Sequence, residues 1–175
     1  MIPKIHIVRT ADGADFPLPS YTSRHHLGLN LMAAIAGPIK IGPRERVRVP
    51  IGFAIAIPDG LCGQIVSNRE LAETSGIIVL DAPCVVHPAD REPLFVLLRN
   101  ESSEQFILRR GMKIAQLLLF PAVQATWQEV KTDVGHGKVS DIVVEESFEE
   151  TKEGADKPKT PEKRVKVSIR ERTAK

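Results

Sequence analysis

The sequence predicts an all-β domain, a sandwich or barrel with at most one short helix, on three observations. From Ile5 to about Thr126, short apolar runs are cut by Gly, Pro, Asn and Asp, which is the spacing of strands and turns. Pro58-Asp59-Gly60 joins two such runs with turn chemistry: proline presets φ at one corner and glycine supplies a positive φ at the other. Only Arg69 to Ser75 offers a helix, since Glu70, Leu71, Ala72 and Glu73 are good helix formers and Gly76 can end the turn.

In chain order, the expected strands before the helix are Ile5 to Val8, Leu29 to Ala33, Glu45 to Pro50, Phe53 to Ile57 and Cys62 to Val66. After it come Ile77 to Leu80, Leu94 to Asn100, Phe106 to Leu108 and Ala115 to Val123. Within the last, Leu117, Leu118, Leu119 and Phe120 form a continuous apolar run. It reads as a strand covered on both faces, with a buried helical turn as the alternative that periodicity leaves open. Pro121 directly after it favours the strand.

At 175 residues the chain has room for one core of about 100 to 150 residues and an appendage. Hydrophobic residues make up 42% and charged residues 26%, a globular balance, and no run of about 20 apolar residues is there to span a bilayer. The start, Met1-Ile2-Pro3-Lys4-Ile5-His6, lacks the apolar stretch of a secretory signal, so export is not expected. Cys62 and Cys84 alone make no disulfide framework. A reducing setting follows, the cytoplasm or a virion assembled there. A net charge of +2 and 5% aromatic residues give no direct sign of nucleic-acid binding, which calls for a clustered basic footprint or stacking platforms.

The composition changes after about Val144. Glu145, Glu146, Glu149, Glu150 and Glu153 form an acidic block, followed by a Lys, Arg and Pro-rich one. The division expected is a β domain over residues 1–144 and a charged tail over 145–175, flexible on its own. Inside the tail Val165, Val167 and Ile169 alternate with Lys166, Ser168 and Arg170, the period of a strand with one apolar face. Two readings stand: a solvated tail with accidental alternation, or an arm that pairs with the sheet edge of a protein partner.

Four segments carry a resemblance. They are His26-Leu27-Gly28-Leu29-Asn30-Leu31-Met32-Ala33-Ala34, the stretch from Val49 to Gly60 with Ile51-Gly52 and Pro58-Asp59-Gly60, the run Gly76-Ile77-Ile78-Val79-Leu80-Asp81-Ala82-Pro83, and Arg110-Gly111-Met112-Lys113-Ile114-Ala115-Gln116-Leu117. In this order, over roughly Pro17 to Trp127, they resemble the trimeric dUTPases: the first motif, the paired strands leading to Pro-x-Gly, the uracil-binding hairpin and the fourth motif. A related deaminase family acting on dCTP shares the architecture but fits the intervening segments less well. The resemblance implies a jelly roll or distorted β-barrel that assembles as a homotrimer with sites at subunit interfaces.

In that family an aspartate activates water, magnesium grips the triphosphate, and Arg, Ser and Gly-rich segments hold the phosphates. Here Asn30 stands where the first motif has Asp. The second motif, Pro-Arg-Ser-Gly-Leu-Ala, is matched by Ser67-Asn68-Arg69-Glu70-Leu71-Ala72, which loses the small residues that let amides approach a phosphate and adds the anion of Glu70. The third motif aligns with Cys84-Val85-Val86-His87-Pro88-Ala89-Asp90-Arg91-Glu92. His87 takes the general-base position, while Ala89 and Asp90 replace a second carboxylate and the tyrosine that packs on deoxyribose. The fifth motif, an Arg and Gly-rich arm, finds only Val134-Gly135-His136-Gly137-Lys138-Val139-Ser140-Asp141. In the hairpin, Asp81 replaces Asn; an acceptor-only carboxylate suits a cytosine amino donor better than a uracil carbonyl, although Asp in a hairpin commonly bonds its own turn amides.

These departures yield the expectation of a catalytically degenerate homotrimer, a pseudoenzyme acting as a structural or protein-binding module of the kind that fits within a larger assembly such as a capsid, with a protein partner met through the tail. No catalytic residue is assigned; Gln116, Asp81, Arg69 and Asn30 are left as vestigial substrate contacts, with no metal and no cofactor. The rival is a working dUTP diphosphatase, or a related hydrolase of altered site, using His87 as base, Arg69 as a displaced phosphate ligand and magnesium. A third reading is a sensor that binds nucleotide through Gln116 and Asp81 without cleaving it. Cys84 and His87 fall short of a metal site, His25 and His26 beside Arg24 read as a solvated loop, and Gly135-His136-Gly137 is too short for a phosphate loop.

Overall fold

The computed structural model describes residues 3–127 and the backbones of two further strands, Ile142–Phe148 and Lys163–Ile169. The chain forms two compact units, Met1–Gln124 and Ala125–Lys175.

In the first unit β1 (His6–Arg9) leads through a one-turn 3-10 helix, Ala11–Gly13, to β2 (Leu29–Met32), β3 (Ile39–Ile41), β4 (Arg46–Pro50), β5 (Phe53–Ala56) and β6 (Leu61–Ser67). The helix α1 (Arg69–Ser75) follows, then β7 (Ile77–Val79), β8 (Cys84–Val86), β9 (Phe95–Asn100), β10 (Phe106–Leu108) and β11 (Lys113–Pro121). The order within the largest sheet is β2-β11-β6-β8, and a second sheet runs β4-β9-β7; β1 pairs with β5, and β10 with β3. Every pairing in the unit is antiparallel.

Two of these strands, β3 and β8, lie outside the sequence expectation. Each has three residues, too few for a periodic signal, and each exists because a longer-range partner completes its hydrogen bonds: β10 for β3, and β6 for β8. The apolar run at Leu117 is a strand, but only one face of it is sealed. Leu117 is buried, Leu118 is half-buried and Phe120 is 40% exposed.

Between the sheets lies one core that includes Leu31, Ile41, Val49, Ile65, Val96, Leu98 and Leu108, all nearly inaccessible. Each such aliphatic chain contributes about 1.5 to 3 kcal/mol by leaving water. Among the described residues one polar side chain shares this interior, that of Asn100. Its Nδ2 donates to the Ile41 and Glu104 carbonyls at 2.9 and 2.7 Å, and its Oδ1 accepts from the Ser102 N–H at 2.9 Å, so the buried amide is paired on both sides.

The second unit holds β12 (Ile142–Phe148) and β13 (Lys163–Ile169), an antiparallel pair with Val144 opposite Val167 and Glu145 opposite Lys166. The alternating segment at Val165 is therefore a strand, and it pairs inside its own chain. Val134 to Ser140 and Asp141, proposed above as the fifth-motif counterpart, lie outside the described residues. Among the described residues no helix is long and apolar enough to cross a membrane.

Candidate active site

The sheet β2-β11-β6-β8 positions the residues singled out above. Its register sets Gln116 of β11 opposite both Asn30 of β2 and Val66 of β6, so the three side chains share one face. Gln116 Nε2 donates to Asn30 Oδ1 at 3.4 Å, and Asn30 Nδ2 donates to Thr22 Oγ1 at 3.1 Å. Gly28 makes room for this pair, since a Cβ there would lie 2.9 Å from Gln116 Oε1.

One residue past Val66, β6 ends at Ser67, whose Oγ accepts the Val79 N–H at 2.9 Å and ties the strand end to β7. Asn68 then caps α1: its side chain accepts the Leu71 N–H at 3.0 Å, satisfying one of the free amides of the first turn. Gly76, at φ 64°, closes the other end. Asn68 thus has a role that its place in the second motif does not suggest. The signal was present in the sequence, an Asn immediately before a helix-forming run.

Arg69 begins α1, with its side chain 88% exposed and its Nε 2.8 Å from Glu73 Oε1. An exposed pair four residues apart is worth about 0.3 to 0.5 kcal/mol. That is little enough for a phosphate, which offers a stronger charge-assisted bond, to draw Arg69 away.

His87 lies at the opposite end of the sheet. Val86 of β8 pairs with Gly63, which brings His87 level with Cys62, four residues along β6 from Val66. At a strand rise near 3.3 Å this is about 13 Å, with two strand spacings across the sheet in addition. A single protomer therefore brings Asn30, Gln116 and Arg69 to one end and leaves His87 apart. The His87 loop is tied down through its backbone: the His87 N–H donates to Asp90 Oδ2 at 2.7 Å, and the Asp90 N–H donates to the His87 carbonyl at 3.1 Å. The imidazole itself is exposed.

Asp81 sits in the exposed turn between β7 and β8. Burial pushes the Cys84 thiol up to about 11, and the hydrogen bond to Asp81 and the charges of Asp81 and Asp90 add to the effect. Cys84 is thus held in its protonated form at neutral pH. Among the described residues no group of three or more His, Cys, Asp and Glu side chains is placed to hold a metal ion. His26 Nδ1 lies 2.7 Å from Ser23 Oγ in the exposed loop between Thr22 and Asn30.

A family model described as dUTPase matches residues 14–141. Among similar proteins, the deoxyuridine 5'-triphosphate nucleotidohydrolase of Anaplasma marginale is 37% identical over 129 residues, covering 74% of this chain and 88% of that protein. The protein of the same name from Aquifex aeolicus is 41% identical over 117 residues, covering 67% and 78%. Solved structures share the fold. A mutant dUTPase from S. aureus phage phi11 has a TM-score of 0.66 at 13% identity, covering 74% of this chain and 98% of that one. The dUTPase from Streptococcus mutans has a TM-score of 0.61 at 18% identity, covering 69% and 98%.

These relatives overturn the expectation of a pseudoenzyme serving as a structural module or virion component, because proteins this similar over most of the chain carry an enzyme's name. Replaced residues in the second, third and fifth motifs together do not amount to loss of the chemistry. Removing a positioned base costs about 10² to 10⁴ in rate, against total enzymatic accelerations of about 10⁶ or more.

Proposed function

Because this chain belongs to the dUTPase family, we propose that it splits dUTP into dUMP and pyrophosphate as a homotrimer, with a base and phosphate contacts of its own. The observation that carries the reading is the 37 to 41% identity, across two thirds or more of the chain, to proteins named for that reaction.

In this reading His87 accepts the proton of the attacking water through its neutral imidazole. Gln116 and Asn30 orient the phosphates or the water from their shared face, and Arg69 exchanges Glu73 for a phosphate oxygen. Asp81 lies in the hairpin that faces the base. Magnesium suits this donor set as a passenger on the triphosphate, since it is commonly held through substrate phosphates with few protein ligands. It would neutralise phosphate charge there. The phage phi11 dUTPase coordinates a structural Mg(II) ion, which is a separate kind of site.

The trimer is supported by the placement of these groups. His87 and Gln116 are too far apart in one protomer to act on one substrate, so a neighbour's sheet end has to meet the His87 loop. The open face of the β2-β11-β6-β8 sheet also carries Val66, Leu118, Val85 and Phe120, partly or largely exposed, an apolar surface that another copy would cover.

The test is pyrophosphate release from dUTP, with dCTP beside it, in the presence of magnesium, together with the mass in solution. Release from dUTP by a particle of three times the 19.3 kDa chain mass is expected. No release would overturn the enzymatic reading, and an active monomer would overturn the shared site.

A further inference from the structure

The second sheet, β4-β9-β7, alternates cleanly. Val49, Val96, Leu98, Ile77 and Val79 face the core. The opposite face carries Arg46 and Arg48 on β4 and Arg99 on β9, with Phe95, Leu97 and Ile78 between and beside them. Arg46, Arg48, Arg99 and Phe95 take no part in the site on the β2-β11-β6-β8 sheet.

Arg46 is the direct cross-strand partner of Arg99. Like charges placed directly opposite each other destabilise a sheet, so the pair is not explained by stability of the fold. The acids nearby do not cancel the charge. Glu101 alone serves both Arg44, which it pairs with directly, and Arg99, whose Nε lies 2.9 Å from Glu101 Oε1. The latter is an ion pair by distance only, since its angle leaves the buried Arg99 Nε without a hydrogen bond. Arg48 has its guanidinium 3.5 Å from the centroid of the Phe95 ring, which is itself 39% exposed. Along β4 the i to i+2 spacing of Arg46 and Arg48 is about 6.6 Å, and Arg99 stands about 5 Å across.

We propose that this arginine-bearing face of the β4-β9-β7 sheet binds single-stranded nucleic acid, with Arg46, Arg48 and Arg99 on successive phosphates and bases resting on the aliphatic strip of Leu97 and Ile78 beside the Arg48–Phe95 stack. A row of forked guanidiniums matches phosphate oxygens, and the adjoining aromatic and apolar floor provides the flat contact that unstacked bases take. An acidic peptide would satisfy the charges but leave that floor without a matching partner. The surface goes beyond the nucleotide hydrolysis proposed above and does not depend on it.

The experiment is fluorescence anisotropy of a labelled oligo-dT of 20 nucleotides against the full chain, at several salt concentrations and in the presence of saturating dUMP. The variant is Arg46→Ser with Arg48→Ser, both exposed; circular dichroism, solution mass and dUTP turnover are followed in parallel. Binding that survives dUMP is expected, weakened about tenfold or more in the variant, with a log K against log salt slope shallower by about 1.4, near 0.7 for each lost phosphate contact. Turnover and mass should not change. No binding by the wild type, binding equal in the variant, or equal binding of poly-glutamate would each overturn the proposal. So would loss of the wild-type mass in the variant, which would assign the face to contact between copies.

Discussion

Gln116 of β11 and Asn30 of β2 face each other across an antiparallel pair and are joined by a 3.4 Å hydrogen bond, with bare Gly28 beside the Gln116 carboxamide. This makes the amide's position sensitive to a change that hardly touches the core.

Gly28→Ala would bring a Cβ to 2.9 Å of Gln116 Oε1, and the atom it meets is the movable end of a flexible side chain. Small loss of stability, about 1 kcal/mol or less, is therefore expected, because the side chain can swing aside. Turnover of dUTP should fall with it. Gln116→Ala should lower kcat/KM by about 10- to 100-fold, the value of one hydrogen bond to a charged group. Melting curves and steady-state kinetics on both variants check this; a Gly28→Ala enzyme of unchanged kinetics would remove Gln116 from the site.

His87→Ala should lower kcat by about 10² to 10⁴, the contribution of a positioned base, while leaving the melting temperature within a degree or two. The exposed imidazole contributes little to packing, and the loop is held by the backbone bonds between His87 and Asp90. His87→Asp, which puts a carboxylate at the same position, should retain turnover well above the Ala variant. Equal turnover in wild type and His87→Ala would exclude the mechanism.

Most of the fold was legible because its signals are local. Pro58-Asp59-Gly60, the helix from Arg69 and the apolar runs at Glu45 to Pro50 and Phe53 to Ile57 each declare themselves within a few residues, and the structure places strands and helix there. Strands β3 and β8 were not, since Ile39–Ile41 and Cys84–Val86 are extended only because distant strands complete them. The candidate site was legible as a set of residues but not as a geometry. The motifs name His87 and Gln116 without giving their separation, and only the register of β8 on β6 shows that one protomer holds them at opposite ends of a sheet. Charge behaved likewise: Arg46, Arg48 and Arg99 are dispersed in a chain of net charge +2, and only strand pairing makes them neighbours.

Gly13 packs against the backbone of Gly52, and a Cβ on Gly13 would fall 2.6 Å from the Gly52 carbonyl carbon. The obstacle is backbone, held by the bond from the Thr10 N–H to the Gly52 carbonyl at 3.0 Å, and cannot swing away. Gly13→Ala should cost about 3 kcal/mol or more, at or beyond the upper end of ordinary overpacking, read from urea denaturation. A cost under about 1 kcal/mol would mean that the N-terminal segment can detach from β5 without consequence.

Arg110 gathers the N-terminal segment onto the turn before β11. It donates to the Ile35 carbonyl at 3.0 Å and the Asp12 carbonyl at 2.9 Å, pairs with Asp15, and stacks over Phe16 at 4.5 Å. The hydrogen bond from Arg110 holds the Asp15 carboxyl below the ordinary carboxylate range, aided by its own backbone N–H. A lowered folded-state value favours the ionised form in the fold. Its contribution is then complete above the unfolded value, about 3.9, and is lost as pH falls through the lower folded value. Asp15→Asn should flatten the acid limb of the stability profile below about pH 4 and leave the profile above pH 5 parallel to the wild type. Thermal melts from pH 2.5 to 7 read this, and an unchanged acid limb would show that the pair does not persist in solution.

The Cys84 thiol offers the last test, because its elevation to about 11 arises from burial first and from Asp81 second. The thiolate is the reactive form, so in a Cys62→Ser background alkylation of Cys84 by iodoacetamide should be slow at pH 8 and rise about tenfold per pH unit toward 10, as the thiolate fraction does. Asp81→Asn removes a negative charge and weakens the carboxylate acceptor, which lowers the thiol's value and should speed alkylation at pH 8. The burial contribution stays, so the rate should remain below that of a free thiol, whose ordinary value is about 8.5. Alkylation at the free-thiol rate in the starting protein would mean that β8 opens on the timescale of the reaction, and the hairpin assigned to the base would then be a mobile element.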